Sequence, residues 1–165
     1  MMTEQSDIVL YLSEHFWDSL WDVSDKWLRD SSHVSGVSYA SLRDQMSSFM
    51  EICGNLPLES AKRSMRKICK DAVAHKTNDP SLTDFEVFNE FIELCLFDPN
   101  SPYRNEDLYE PYAALLSECE SVGPAGREKY SRQVAQCRLN PVACVAADFS
   151  FSDKVGKIKT LHSIK

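Results

Sequence analysis

The run Phe97-Asp98-Pro99-Asn100-Ser101-Pro102-Tyr103-Arg104-Asn105-Glu106-Asp107-Leu108-Tyr109 constrains this chain more than any other, because two prolines are followed at once by a strong helix start. A proline disfavours helical backbone at the residue before it, so Asp98 and Ser101 are both pushed toward extended geometry. Asn105 has the side chain of a helix cap, and Glu106 and Asp107 place negative charge in the first turn, where the helix dipole favours it. One helix must stop before this run and another must start within it. Two helices therefore meet at a fixed elbow.

Apolar spacing on either side of the elbow is helical. Tyr39, Leu42, Met46, Phe49, Met50 and Cys53 recur in steps of three and four and stop before Gly54-Asn55. Pro57 opens a second stretch, with Ala61, Met65, Ile68, Cys69, Ala72 and Val73 on one side and Lys62, Arg63, Arg66, Lys67 and Lys70 on the other. From Leu82 to Phe97 the chain is apolar around most of its circumference, which predicts the central, most buried helix. Beyond the elbow, Glu106–Glu120 turns Leu108, Tyr112, Leu115, Leu116 and Cys119 inward, with Pro111 tolerable near its first turns. Pro124–Leu139 resumes the pattern with Tyr130, Val134 and Cys137 before Asn140-Pro141 stops it. At the amino end, Ile8, Tyr11, Leu12 and Phe16 share helical spacing. Trp17, Trp21 and Trp27 read as core-forming aromatics rather than a ligand cage. Ser31–Ser38 reads as a polar loop.

These stretches predict an all-α protein, an irregular bundle of about five helices in antiparallel hairpins, since short connections favour antiparallel neighbours. From Val145 the period changes, and Phe149, Phe151, Val155, Ile158 and Leu161 read as extended chain around a turn near Gly156. The expected organisation is a helical domain over 1–142 and an extended tail over 143–165.

A chain of 165 residues, 43% hydrophobic, can bury one sizeable core. Its 18 basic and 25 acidic side chains leave a net charge of −7, which repels nucleic-acid phosphates and anionic membrane faces. No apolar run reaches the roughly 18 residues of a membrane span, and no basic-then-apolar export signal opens the chain. Nucleic-acid binding and direct membrane insertion are therefore not expected. The acidity concentrates before Gly36, whereas Lys154, Lys157, Lys159 and Lys165 make the tail basic. The two could pair or form ordinary solvated surfaces.

Catalytic constellations are missing. No two of the six cysteines are spaced as CxxC, the arrangement that lets a helix start activate a thiol. Cys53, Cys69, Cys95 and Cys119 lie on apolar stripes, where a cysteine behaves as a small hydrophobe. Cys137 and Cys144 flank Asn140-Pro141, and chain reversal there leaves open a local disulfide. The histidines, His15, His33, His75 and His162, are scattered without metal-site spacing, so neither a metal nor a cofactor is expected. Arg104 has two readings. Beside Asp98 its guanidinium could tie the helix ends together, or with Asn100, Asn105, Tyr103, Tyr109 and Tyr112 it could grip a carboxylate or peptide.

The Asp98-Pro99-Asn100-Ser101-Pro102 elbow, the following Arg104-Asn105-Glu106 and Leu108-Tyr109, and the spacing to Asp148-Phe149 carry a family resemblance. Over most of residues 10–152 the chain resembles a domain of unknown function found ahead of thioredoxin-like domains in secreted proteins of Gram-negative gut bacteria. The segment Ala146-Ala147-Asp148-Phe149-Ser150-Phe151 is similar to the opening hairpin of an alkyl hydroperoxide reductase or thioredoxin-like domain. The resemblance implies a periplasmic or cell-envelope setting and a thiol-disulfide oxidoreductase domain as covalent partner. On this reading the chain itself is a non-catalytic accessory domain that recognises a client protein or positions its neighbour. The alternatives are a stand-alone helical interaction adaptor and a thiol enzyme using Cys137 and Cys144.

Overall fold

A computed structural model of the chain describes residues 4–21, 33–34, 37–76, 84–139, 150–152 and 156–160. Among the described residues six α-helices carry the fold: α1 (Glu4–His15), α2 (Tyr39–Gly54), α3 (Leu58–Ala74), α4 (Asp84–Leu96), α5 (Glu106–Glu118) and α6 (Gly123–Leu139). Two short antiparallel ribbons accompany them, β1 (His33–Val34) with β2 (Val37–Ser38), and β3 (Ser150–Ser152) with β4 (Ile158–Thr160). The protein is thus mostly α-helical. None of the described helices is long and apolar enough to cross a membrane.

Local chemistry sets the helix ends. The Ser38 hydroxyl accepts from the Ser41 amide at 3.4 Å and starts α2, and Asn105 accepts from the Leu108 amide at 3.1 Å and starts α5. Pro111 sits inside α5, in its second turn, and is buried. Gly123 turns the chain from a 3-10 turn (Glu120–Val122) into α6 at a φ of 72°, a conformation that favours glycine.

Helix α4 is the centre of the core, as its all-round apolarity predicts. Phe85, Val87, Phe88, Phe91, Ile92, Cys95 and Leu96 are all buried. Around it α5 and α6 form an antiparallel hairpin, with Tyr109 bonded to Gln133 and Glu110 to Arg138. Ser13 meets Ser64 and Glu14 pairs with Arg63, so α1 packs against α3.

The amino-terminal segment packs by a different face from the one its apolar spacing suggests. Ile8, Tyr11 and Leu12 are 56%, 61% and 49% exposed, while Leu10, Ser13, Trp17 and Leu20 point inward. The reason is close approach to α3. Two small side chains, Ser13 and Ser64, place their hydroxyl oxygens 2.7 Å apart in a fully buried contact that a bulkier pair would prevent. Trp17 then enters the core with ring centroids 5.7 Å from Phe49 and 5.9 Å from both Phe88 and Phe91. Trp21 stacks on His75 at 5.0 Å, so both described tryptophans serve packing; Trp27 lies outside the described residues. Within the expected polar loop Ser31–Ser38, β1 and β2 pair and Val34 is fully buried, packing β1 against α4.

Candidate functional site

The elbow is locked by its own backbone. Ser101 donates its hydroxyl to the Cys95 carbonyl at 2.5 Å and accepts from the Tyr103 amide at 3.1 Å. The Asn105 amide closes the turn onto the Leu96 carbonyl at 2.9 Å, and the Asp98 carboxylate accepts from the Asn100 amide at 2.7 Å. Phe97 stacks on Tyr109 at 4.9 Å behind it. Five polar and stacking contacts within one turn leave little freedom between α4 and α5.

This rigid turn forms one wall of a groove of about 400 Å³. The start of α2 supplies Tyr39 and Arg43, α4 supplies Glu90, Phe91, Leu94 and Cys95, and the elbow adds Asp98, Asn100, Ser101, Pro102 and Tyr103. The Tyr39 hydroxyl donates to the Val87 carbonyl at 3.2 Å. Burial, followed by the charges of Glu90 and Cys95, pushes its pKa up to about 12, so it stays a neutral donor. Phe91 and Cys95 are buried in the floor, and Leu94 is 48% exposed above them.

What distinguishes this groove is its unspent charge. Among the described residues Arg43, Glu90 and Asp98 form no ion pair. Across the ridge made by Glu90 and Leu94 lies a second cavity of about 400 Å³, lined also by Lys76, Phe85, Glu86, Glu93, Lys129 and Tyr130. Apart from the shared Glu90 its charges are paired: Lys76 pairs with Glu86 at 2.6 Å, and Glu93 takes both Lys129 at 2.5 Å and the Gln133 amide at 2.7 Å. In the second cavity both lysines are thus spent on carboxylates and only the shared Glu90 is left, whereas the first keeps a cation and two carboxylates for a ligand.

Four of the described thiols are buried away from redox work. Burial raises Cys53 and Cys69 to about 12, and raises Cys95 and Cys137 to about 11. For Cys137 the carboxylates of Glu106 and Glu110 add to burial. A nucleophilic thiol needs the reverse shift. No two of the five described cysteines are bonded to each other, and Cys144, the expected partner of Cys137, lies outside the described residues. Among the described residues no cluster of three His, Cys, Asp or Glu could hold a metal.

Of the elbow residues singled out in the sequence, Asp98 and Asn100 line the groove with Tyr103, while Arg104 and Asn105 do not. Arg104 pairs with Glu106 on the next helix rather than with Asp98, and Asn105 is committed to its cap. The tie between helix ends comes from Ser101 and the Asn105 amide instead. Tyr109 and Tyr112 are core residues: Tyr109 donates to Gln133 at 2.8 Å and Tyr112 to Asn89 at 2.5 Å. Sequence reading missed Tyr39, Arg43 and Glu90, because they reach the elbow only through tertiary packing. Leu94 left a signal, as one apolar residue too many on a helix already apolar on its core side.

Comparison with known proteins gives a family and a fold. A family model described as Domain of unknown function (DUF5106) matches residues 1–140. No curated protein matches the chain. A crystal structure of a thioredoxin-like protein from Bacteroides caccae superposes with a TM-score of 0.73 at 18% identity, over 99% of this chain and 54% of that one. The chain therefore spans about half the length of that protein, and the likeness is one of fold.

Proposed function

The chain belongs to the family described as Domain of unknown function (DUF5106), and from that footing we propose that its helical part is a non-catalytic accessory module of a thioredoxin-like thiol-disulfide oxidoreductase. The module holds a client segment in the elbow groove, within reach of a redox domain carried on the same polypeptide. The observation that carries this reading is the rigid groove with three uncompensated charges over an apolar floor. The raised thiols support a division of labour, with redox chemistry assigned to another domain. The β3–β4 ribbon, whose register pairs Phe151 with Lys159, supports residues 143–165 as the opening of that next domain. A periplasmic or cell-envelope setting follows from the same proposal, since oxidoreductases of this kind work on exported clients.

Two measurements test it. The isolated chain should not accelerate insulin reduction by dithiothreitol, and acceleration matching a complete oxidoreductase would overturn the accessory role. Leu94→benzoylphenylalanine should photo-crosslink a reduced, unfolded secretory protein. The same replacement at Leu58, which is 47% exposed and so equally accessible, should not. Equal crosslinking from both positions would remove the groove from the proposal.

A further inference from the structure

Resting on the elbow groove as the docking site, its chemistry specifies what docks. We infer that the occupant is an extended peptide segment in which a lysine or arginine lies beside a large apolar side chain. The apolar requirement comes from Phe91, Leu94, Pro102 and Tyr103, which supply apolar lining to the groove. Such a lining gains from burying an aromatic or branched side chain and discriminates little between them. The cationic requirement comes from the balance of charge. Glu90 and Asp98 oppose the single cation Arg43, so the empty groove carries one excess negative charge among its lining side chains.

The three groups also differ in what they can accept. Asp98 already fixes one carboxylate oxygen on the Asn100 amide at 2.7 Å, which holds it in place without neutralising it. Glu90 stands on the exposed ridge shared with the second cavity, where it meets a ligand from either side. Arg43 presents a guanidinium whose donors suit the carbonyl oxygens of an extended backbone. A peptide that brings its own cation pairs with one of the two carboxylates and leaves Arg43 for its main chain. A peptide that brings a carboxylate meets two like charges and one opposite one. The net charge of −7 on the whole chain reinforces the same preference at a distance and disfavours a second copy of this chain as occupant.

Fluorescence anisotropy of the full chain with two labelled, end-blocked pentapeptides is the test, one with phenylalanine flanked by lysines and one with phenylalanine flanked by glutamates. The lysine peptide should bind about tenfold more tightly at low salt, and the preference should shrink as salt is added. The double variant Glu90→Gln, Asp98→Asn should bring the two peptides within about twofold of each other. It should also keep its helical circular dichroism, because Asn at position 98 can still accept from the Asn100 amide. Equal binding of both peptides, a preference for the glutamate peptide, or a preference untouched by the double variant would overturn the inference while leaving the groove reading intact. Absence of binding by either peptide, together with no crosslink from position 94, would bring down the groove reading itself. Concentration-dependent dimerisation blocked by the Leu94 replacement would overturn the inference in favour of a second copy.

Discussion

Raising the pH should unfold this protein through its thiols and tyrosines, and the reasoning can be followed group by group. Cys53 and Cys69 sit in the core with pKa values of about 12 against an ordinary 9.0, because burial penalises the thiolate. Tyr109 and Tyr112 are fully buried and raised in the same direction from 10.0. In each case the folded pKa exceeds the unfolded one, so the stabilisation is intact below the unfolded value and is lost as pH rises toward the folded value. Between those limits the unfolded chain binds fewer protons, and each such group costs about 1.4 kcal/mol per pH unit. The two thiols together remove on the order of 3 kcal/mol by about pH 10. These four groups alone remove on the order of 8 kcal/mol by about pH 11, comparable with the about 5–15 kcal/mol that holds a whole domain. Helical circular dichroism, thiolate absorbance and tyrosinate absorbance should therefore change together in one cooperative step. Cys69→Ala isolates one share: whatever it does to absolute stability, the loss between about pH 8 and pH 10 should shrink by on the order of 1 kcal/mol. Thiols that ionise one at a time near their ordinary value while helicity is retained would refute the argument, and with it the case that these cysteines are inert.

Three further outcomes follow from single contacts. Asn105→Ala removes the acceptor for the Leu108 amide and should cost about 1 kcal/mol in urea denaturation, whereas Asn105→Asp should cost little; equal losses would show that the cap is not what the side chain contributes. Tyr112→Phe deletes the donor to the buried Asn89 carboxamide and should cost about 1–3 kcal/mol, while a neutral result would mean that oxygen is satisfied elsewhere. Gly123→Ala meets no atom within 4 Å, so any loss is conformational; at a φ of 72° it should be about 1–2 kcal/mol by thermal denaturation, and no loss would mean the turn relaxes freely.

Much of the fold was legible along the chain, and the reason differs from element to element. The stripes of α2 and α3 appear in the sequence because each helix buries a single face, and α4 announces itself by having almost no polar face. The elbow was legible because proline and a capping asparagine act through local backbone geometry. For α1 the same procedure chose the wrong face. Ile8, Tyr11 and Leu12 keep helical spacing as well as Leu10, Ser13 and Trp17 do, and spacing carries no information about what lies opposite. Ser64 decided it, from a different helix, by letting two serines meet where larger side chains would not fit.

The site divides in the same way. Asp98, Asn100 and Tyr103 could be located from the elbow alone, and the absence of CxxC from the sequence excludes a dithiol of thioredoxin type within it. The sequence by itself determined where the helices begin and end, which segment is most buried, and where the backbone is rigid. These depend on interactions among residues close along the chain. Tertiary structure alone decided that Arg43 and Tyr39 line one groove with Glu90 and Asp98, that Arg104 is spent on Glu106, and that the lysines of the second cavity are spent on Glu86 and Glu93. Those outcomes depend on distances between side chains far apart in sequence, and a charge is available to a ligand only when no other part of the fold has already compensated it.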